Sequence, residues 1–326
     1  MIISKTPFRV SFFGGGTDFK DYYERYGGYV IGSAINKYCY ITLRQLPPFF
    51  KDKYRLVWSK IELVNNVQNI VHPCIRSVLK NYNIKNGLEI IHASDLPARS
   101  GIGSSSSFSV GLIHCINVLN NKKVNKLSLA KEAINLEQNI LKEHVGTQDQ
   151  IWATCGGFNE IYFNKKGFEV KKIKITEIKK KELSDNLIMF FTGKSRYSEI
   201  IEKNKMENLE KNLQHYHIIK EFAINSKKVF EGSANLDSIG YMLDEYWKLK
   251  KKLSVKISDK NIDEIYKEGK RLGALGGKIL GAGGGGFIMF YANQNVQKKL
   301  INKFYKLTNV KFNFSNTGSE IIFNNE

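Results

Sequence analysis

Asp95-Leu96-Pro97-Ala98-Arg99-Ser100-Gly101-Ile102-Gly103-Ser104-Ser105-Ser106-Ser107-Phe108-Ser109-Val110-Gly111 is the stretch that decides how this chain reads. The run from Leu88 to Ala93 leads into it and predicts a strand. Pro97 stops regular structure, and Gly101 and Gly103 permit a tight backbone path. Ser104 to Ser107 then open a helix, in which Phe108, Leu112, Cys115 and Leu119 recur at helical spacing. A glycine turn that ends in a helix N-terminus is an anion site. Its N–H groups lack intrahelical acceptors, and the helix dipole adds positive potential at the same spot. The serines add hydroxyls for phosphate or Mg²⁺. From its residues alone, the loop reads as a cradle for the phosphates of ATP. It is not of the G-x-x-x-x-G-K-[ST] type. The one look-alike, Gly193-Lys194-Ser195, has Ile188 where the leading glycine belongs, inside an apolar run.

Around this stretch the chain alternates strands and helices without a regular βαβα repeat, which predicts an α+β fold. Upstream, residues 1–13 read as a strand that runs into Gly14-Gly15-Gly16-Thr17-Asp18, with Asp18 as a candidate cap for a helix over 19–26. Strands follow at 29–35, 38–43 and 55–58, then a helix over 67–82. Downstream, Ser128 is placed as the cap of a helix reaching His144, and Thr147 as the cap of a short helix that Gly156 ends. A hairpin turns at Lys166-Gly167. Long helices are expected over 196–230 and 235–253, another over 262–272, and strands at 187–192, 276–280 and 287–291. A helix over 295–303 and strands at 309–314 and 319–323 close the chain. At 326 residues the chain exceeds one compact core, so two domains are expected. The boundary falls in the charged, weakly patterned segment 173–184, giving domains 1–178 and 179–326.

Composition narrows the function. No run approaches eighteen apolar residues, and the opening seven residues do not read as a signal peptide. Four scattered cysteines read as reduced thiols in a cytoplasmic protein. The net charge of +19 is compatible with a nucleic acid, a membrane surface or an acidic small substrate. Its lysines are spread along the chain, which favours a solvated lysine-rich surface over a specific polyanion partner. A basic nucleic-acid-binding protein without catalysis stands as the alternative of another class. It would not require the serine loop together with Glu137 and Asp149. That acid pair lies on either side of a helix end near Gly146, which lets both carboxylates aim at one point. Phosphoryl transfer needs a carboxylate and a hydroxyl for Mg²⁺, plus a group that orients or deprotonates the nucleophile. The second glycine run, Gly281 to Gly286, sits between two apolar strands and marks close backbone approach.

In chain order these pieces resemble the GHMP kinases. The carriers are Thr6-Pro7-Phe8-Arg9-Val10 through Asp18, Pro97 to Ser105, Gly146-Thr147-Gln148-Asp149-Gln150, and Lys278 to Gly286. The resemblance implies a ribosomal-protein-like βαβ domain followed by a ferredoxin-like domain, with ATP and Mg²⁺ as cofactors. The Gly14 to Asp18 turn is most similar to that of kinases of D-glycero-D-manno-heptose 7-phosphate. A fucokinase or galactokinase type is the alternative within the family, and the turn lacks galactokinase's acidic residue and His. The implied reaction is ATP-dependent phosphorylation of a sugar phosphate at its anomeric hydroxyl.

The implied roles follow by position. Asp149 would orient or deprotonate the sugar hydroxyl, and Arg9 would stabilise charge on the transferred phosphoryl group. Gly101, Ile102, Gly103, Ser104, Ser105, Ser106 and Ser107 would bind the ATP phosphates. Ser105 and Glu137 would hold Mg²⁺. Asp18, Thr17, Gly16 and Gly28 would line the sugar, Lys194 and Arg196 its phosphate, and Gly284 and Gly285 would close the site. No nucleic-acid or membrane partner is implied, and the oligomeric state stays open. Two departures stand out: Leu280, where relatives often carry Ser or Thr, and Arg99, a charge inside the loop.

Overall fold

Strand β2 (Gly28–Gln45) organises the first half of the computed structural model, which describes residues 1–194 and 198–325. Its first half pairs with β6 (Phe158–Asn164), its second half with β5 (Leu88–Ser94), and its other edge with β1 (Ile2–Phe13). The sequence suggests two strands here because Asn36-Lys37 interrupts the apolar pattern. The ladder with β1 nonetheless makes one strand of it. The other elements of this half are α1 (Lys20–Tyr26), β3 (Tyr54–Val57), β4 (Ile61–Val64), α2 (Pro73–Asn81), α3 (Ser104–Leu119), α4 (Lys126–Asn135), α5 (Gln148–Cys155) and β7 (Gly167–Lys172). The second half holds α6 (Glu177–Asp185), β8 (Leu187–Phe191), α7 (Ser198–Glu207), α8 (Leu213–Glu231), α9 (Asp237–Lys252), α10 (Lys260–Arg271), β9 (Gly276–Ile279), β10 (Phe287–Tyr291), α11 (Gln294–Lys303), β11 (Asn309–Val310) and β12 (Glu320–Asn324).

Two sheets result. The first runs β12-β1-β2-β5-β3-β4, with β6 and β7 extending from β2, and the second is antiparallel in the order β11-β8-β10-β9. This is the mixed α+β architecture expected from the sequence. β12, placed by the sequence in the second domain, returns to pair with β1 in the first sheet. One buried apolar cluster runs from Ile2 and Phe8 in the first sheet to Met189 and Phe290 in the second. Where they meet, Phe12, Phe158 and Phe230 pack with ring centroids 5.0 to 5.6 Å apart. Among the described residues no helix is long and apolar enough to cross a membrane.

Several local readings change, each for a hydrogen-bonding reason. The helix after the serine loop's helix is capped by Asn125, whose Oδ1 accepts from Leu127 and Ser128 N–H, and not by Ser128. The helix expected over 196–230 is broken near Asn208 and Asn212. Their side-chain amides donate to the carbonyls of Asn204 and Leu253, drawing them into contacts that compete with the helix. Segment 173–184 is not structureless: Thr176 caps α6, which buries Leu183 and Lys180. Pro73 begins α2, as the missing N–H allows, and residues 67–69 form a separate 3₁₀ turn. Asp18 does not cap α1, whose N-cap is Phe19.

Glu160 ties the first sheet to the second half. It is 1 % exposed, accepts from the Tyr29 hydroxyl, and forms an ion pair with Lys227 of α8 at 2.7 Å. Replacing Glu160 leaves the buried Tyr29 hydroxyl without its acceptor, while Lys227, 32% exposed, can turn to water. Glu160→Ala is therefore expected to cost about 1–3 kcal/mol of unfolding free energy, read from urea denaturation. A midpoint equal to wild type would show that the network carries no stability.

Candidate active site

The cradle is built by backbone on backbone. Gly101 (φ +84°) and Gly103 (φ +76°) both adopt left-handed conformations. A Cβ on Gly101 would lie 2.4 Å from the Leu280 carbonyl oxygen, and one on Gly286 only 2.2 Å from that of Ser100. The Phe287 N–H donates to Ser100 O at 3.0 Å. The run 281–286 thus packs against the serine loop itself, which is the close approach its glycines require. Lys250 braces the run, donating to the Ile279 carbonyl at 3.1 Å.

Gly103 is the N-cap of α3 and offers no side chain, and Ser107 makes the first backbone bond, to Gly103 O at 2.9 Å. The N–H groups ahead of it are left pointing out of a sixteen-residue helix. The serines divide their work. Ser104 Oγ accepts from the Arg99 N–H, and Ser107 Oγ donates to Pro7 O. Ser105 is exposed. Ser106 Oγ donates to Glu137 Oε2 at 2.9 Å.

The serine whose hydroxyl meets Glu137 is thus Ser106, the residue after Ser105. On α3 the two serines point about 100° apart, and only Ser106 faces Glu137. Glu137 sits in a π-helical turn (Leu136–Ile140), which widens the helix and presents the carboxylate inward. It is 1 % exposed, and burial pushes its carboxyl up to about 7, with Glu143 adding to the rise. Gln150 also donates to Oε2, while Glu137 Oε1 and Gln150 Oε1 are buried without a partner. Oxygen-only donors with an unfilled acceptor suit Mg²⁺. No cluster of three or more His, Cys, Asp or Glu exists among the described residues, so such an ion would rely on nucleotide phosphates for further ligands.

Arg9 and Asp149 meet as a fork. Arg9 Nε reaches Asp149 Oδ1 at 2.7 Å, its second nitrogen reaches Oδ2 at 2.6 Å, and its third donates to Gly101 O at 2.6 Å. The β1 register shifts between Pro7 and Arg9, and the Arg9 N–H bonds to Ile102 O. A bulge thereby aims Arg9 at the cradle. Gly103 admits the pair: a Cβ there would be 3.3 Å from both Asp149 Oδ2 and Arg9 Cγ.

The glycine turn is more structural than the sequence suggests. Asp18 is fully buried, with Oδ1 accepting from Gly16 N–H and Oδ2 from Gln148 N–H. Burial raises its carboxyl to about 6 despite those bonds, and Asp149 and Glu202 push the same way. With both oxygens spent on backbone, Asp18 staples the turn to the start of α5. Thr17 is also buried, its hydroxyl 2.8 Å from Gly14 O and 2.9 Å from Tyr29 O. Gly28 is needed because a Cβ would sit 2.2 Å from Thr17 O. Gly16 (φ +102°) packs on the Tyr216 ring.

Further out, Gly284 N–H donates to Ile257 O, and Gly285 has φ +150°. Lys194 is about half exposed and pairs with Asp259 at 2.7 Å. Arg196 lies outside the described residues.

Three features escape sequence reasoning. Lys278 is buried and donates to both Ser11 O and Phe12 O at 2.8 Å, with burial and Arg9 holding its pKa well below the usual lysine value. Gln148 and Gln150 flank Asp149 and face opposite parts of the site; the Gln-Asp-Gln pattern was the available signal. An aromatic pile beside α3 joins Trp58, His72 and Phe108, with centroids 4.9 and 4.8 Å apart.

Comparison with known proteins gives the family. Residues 69–157 match the GHMP kinases N terminal domain and residues 229–307 the GHMP kinases C terminal domain. The chain is 32% identical over 317 residues to a D-glycero-alpha-D-manno-heptose 7-phosphate kinase of Campylobacter jejuni, covering 94% of this chain and 93% of that protein. The crystal structure of a D-glycero-D-manno-heptose 1-phosphate kinase from Bacteroides thetaiotaomicron superposes over 100% of both chains with a TM-score of 0.81 at 21% identity. A putative sugar kinase from Campylobacter jejuni superposes with a TM-score of 0.75 at 27% identity, over 98% of this chain and 97% of that one. The chain belongs to the GHMP kinase family.

Proposed function

We propose that this kinase transfers the γ-phosphoryl group of ATP to the anomeric C1 hydroxyl of a heptose 7-phosphate, giving a heptose 1,7-bisphosphate and ADP. Such a product is a precursor of nucleotide-activated heptose for surface polysaccharide. The observation that carries the reading is the Arg9–Asp149 fork closed onto Gly101 at the mouth of the serine loop. The similarity to a heptose 7-phosphate kinase supports the choice of sugar.

In this reading the free N–H groups at the start of α3 hold the phosphates. Arg9 faces the charge that develops on the transferred group. Asp149, both of whose oxygens already accept from Arg9, orients the sugar hydroxyl and receives its proton late. The hydroxyl oxygen bonds to the γ-phosphorus as the bond to the β-bridging oxygen breaks. An anomeric hydroxyl is more acidic than an ordinary alcohol, so a clamped carboxylate suffices. Glu137 and Ser106 would hold a Mg²⁺ that neutralises phosphate charge. Asp18 and Thr17 act through the backbone they fix, and Gly16 and Gly28 through the closeness they permit. Gly284 and Gly285 belong to the run behind the cradle. Lys194 and Arg196 remain candidates for the sugar's 7-phosphate. The aromatic pile of Trp58, His72 and Phe108 offers a wall for the nucleotide base.

A panel of heptose 7-phosphates, free sugars and mevalonate tests the assignment by ADP release and ³¹P NMR. The expected product is a new anomeric phosphate on D-glycero-D-manno-heptose 7-phosphate. Turnover confined to a free sugar or to mevalonate would refute it. In the same assay Asp149→Asn should lower kcat by roughly 10²- to 10⁴-fold while ATP binding persists. A rate equal to wild type removes Asp149 from the chemistry.

Proton competition adds a second prediction. Glu137, raised to about 7, must lose its proton to bind a cation, so Mg²⁺-nucleotide affinity should fall as pH drops below about 7. Glu137→Gln should bind weakly and flatten that dependence. Asp18 at about 6 and Glu137 at about 7 both hold protons more tightly folded than unfolded. These two carboxyls lower the stability of the ligand-free protein as pH rises through that window, while the buried His72 and His114, lowered to about 4, and His92, also lowered, act the other way below the ordinary histidine value of 6.5. The rise in melting temperature produced by Mg²⁺-ADP isolates Glu137 from them. Measured across pH 5 to 8, that rise should grow with pH, and one that shrinks or stays constant contradicts the prediction.

A further inference from the structure

One corner of the first sheet carries apolar side chains that the fold leaves uncovered. Ser4 donates to Gly111 O of α3 and stands opposite Ile41, so Thr42, one residue on, points to the face turned away from α3. On that face side chains align across the strands. Thr42, Ile91, Val57 and Ile61 form one row over β2, β5, β3 and β4, and Arg44, Glu89, Arg55 and Leu63 form the next. Ile91 and Val57 lie outside the buried apolar cluster, and Ile61 and Leu63 are 69% and 54% exposed. The loop from β2 to β3 crosses the start of β5, with Leu46 N–H bonded to Gly87 O and Leu88 N–H to Lys53 O. It lifts Phe49 and Phe50 into solvent, 80% and 45% exposed, with ring centroids 4.9 Å apart. Arg44 joins Phe50 to the second row, its guanidinium 6.0 Å from the ring centroid.

A single exposed apolar residue needs no explanation, but a contiguous apolar patch with a charged rim marks an interaction surface. The loop does not need its phenylalanines to hold its shape. Pro47 and Pro48 restrict it, Phe50 N–H closes a turn on Pro47 O at 3.2 Å, and buried Leu46 anchors it. The rim is charged mainly with one sign. Glu89 is shared between Arg44 and Arg55, so one guanidinium charge is left unbalanced. Lys51 and Lys53 follow the phenylalanines with only Asp52 between them, and Lys60 sits in the turn before β4. A second copy of the chain would bring the same surplus against itself. The area also falls short of a protein interface. Four strands ~4.8 Å apart and two rows ~7 Å apart cover roughly 300 Å². With the two rings added, the patch stays below the about 800 Å² that each partner gives to a stable complex.

We infer that this corner docks the protein on an anionic lipid bilayer, with Phe49 and Phe50 among the headgroups and Arg44, Lys51, Lys53 and Arg55 on lipid phosphates. A lipid surface supplies the opposite charge, and its extent makes up for the small area of the patch. Each cation held near an anionic leaflet adds to binding, and exposed aromatic rings settle at the boundary between headgroups and acyl chains. Sheets twist, so a plane meets the corner and its loop rather than the whole face. Two rings and a few cations give weak, reversible docking. The cradle stays free. Glu89 lies near the start of β5 and the cradle follows its end at Ser94, ~17 Å along the strand. The pile of Trp58, His72 and Phe108 is on the α3 side of the sheet. The docking surface is thus independent of the kinase reading. It also differs from what net charge alone implies, because the apolar rows and the loop, and not the spread lysines, define it.

The test is flotation of the full chain with vesicles of phosphatidylcholine, with and without phosphatidylglycerol. Wild type should float only with the anionic vesicles at about 0.1 M salt and be released at about 1 M, where charges are screened within ~3 Å. Phe49→Ser with Phe50→Ser, and Lys51→Gln with Lys53→Gln, should each weaken partition by about tenfold. Lys298→Gln with Lys299→Gln removes the same charge from exposed positions of α11 and should bind as wild type does. Melting temperatures of all three double variants should match wild type. No partition at low salt, equal partition to uncharged vesicles, or an undiminished phenylalanine variant overturns the proposal. A loss in the α11 variant as large as in the loop variants does so too, since net charge alone would then explain binding. Light scattering supplies the remaining outcome. A wild-type dimer that the phenylalanine changes break, without vesicle binding, overturns the lipid assignment and gives the corner to a second copy.

Discussion

The contact between two glycine loops sets the frame of this protein. Ser100 O accepts from Phe287 N–H, and Gly101 lies against the carbonyl of Leu280, at distances that exclude any Cβ. The serine loop follows β5 of the first sheet, and the partner run joins β9 to β10 of the second. A backbone-to-backbone contact has no rotamers to relax, so it fixes the two sheets relative to each other at one point. That point is also where Arg9 delivers its third hydrogen bond, to Gly101 O. Architecture and candidate chemistry therefore share the same few atoms.

Around that point the protein buries charge in three ways. Arg9 and Asp149 satisfy each other in a bidentate fork, which fixes both in direction. Asp18 and Lys278 spend themselves on backbone, one accepting from two N–H groups and the other donating to two carbonyls. Glu137 is the exception, with one oxygen served by Ser106 and Gln150 and the other left open. An uncompensated buried carboxylate is costly, and its raised pKa expresses that cost. The expense is sensible where a cation completes the site, and the π-helical turn that carries Glu137 is a local irregularity of the same kind.

Much of this was legible in advance. The serine loop, the helix behind it, the Asp149 turn and both glycine runs were recognisable from residue type and spacing, as were most strands. The errors were short-range and instructive. Asn125 in place of Ser128, and the break at Asn208–Asn212, turn on side chains that compete with backbone for hydrogen bonds, and several nearby residues were chemically eligible. That Ser106 and not Ser105 contacts Glu137 is a matter of helical phase: four serines in a row carry no sign of which one faces inward. Asp18 reads from the sequence as a helix cap or a residue lining the sugar, and its bonding to Gly16 and Gln148 depends on a partner 130 residues away.

By itself, then, the sequence determined the local conformations and the chemical inventory. Glycines at positive φ, a helix N-terminus without side-chain caps, and apolar periodicities are properties of neighbouring residues, and these alone support a phosphate cradle in an α+β chain. Only the tertiary structure decided which groups meet. It brought Arg9 to Asp149, Ser106 to Glu137, and Gly281 against Gly101. It returned β12 to β1. Those choices depend on which atoms are buried together and which backbone groups remain unpaired. Burial and pairing are properties of the folded whole, with no signature in the spacing of residues along the chain.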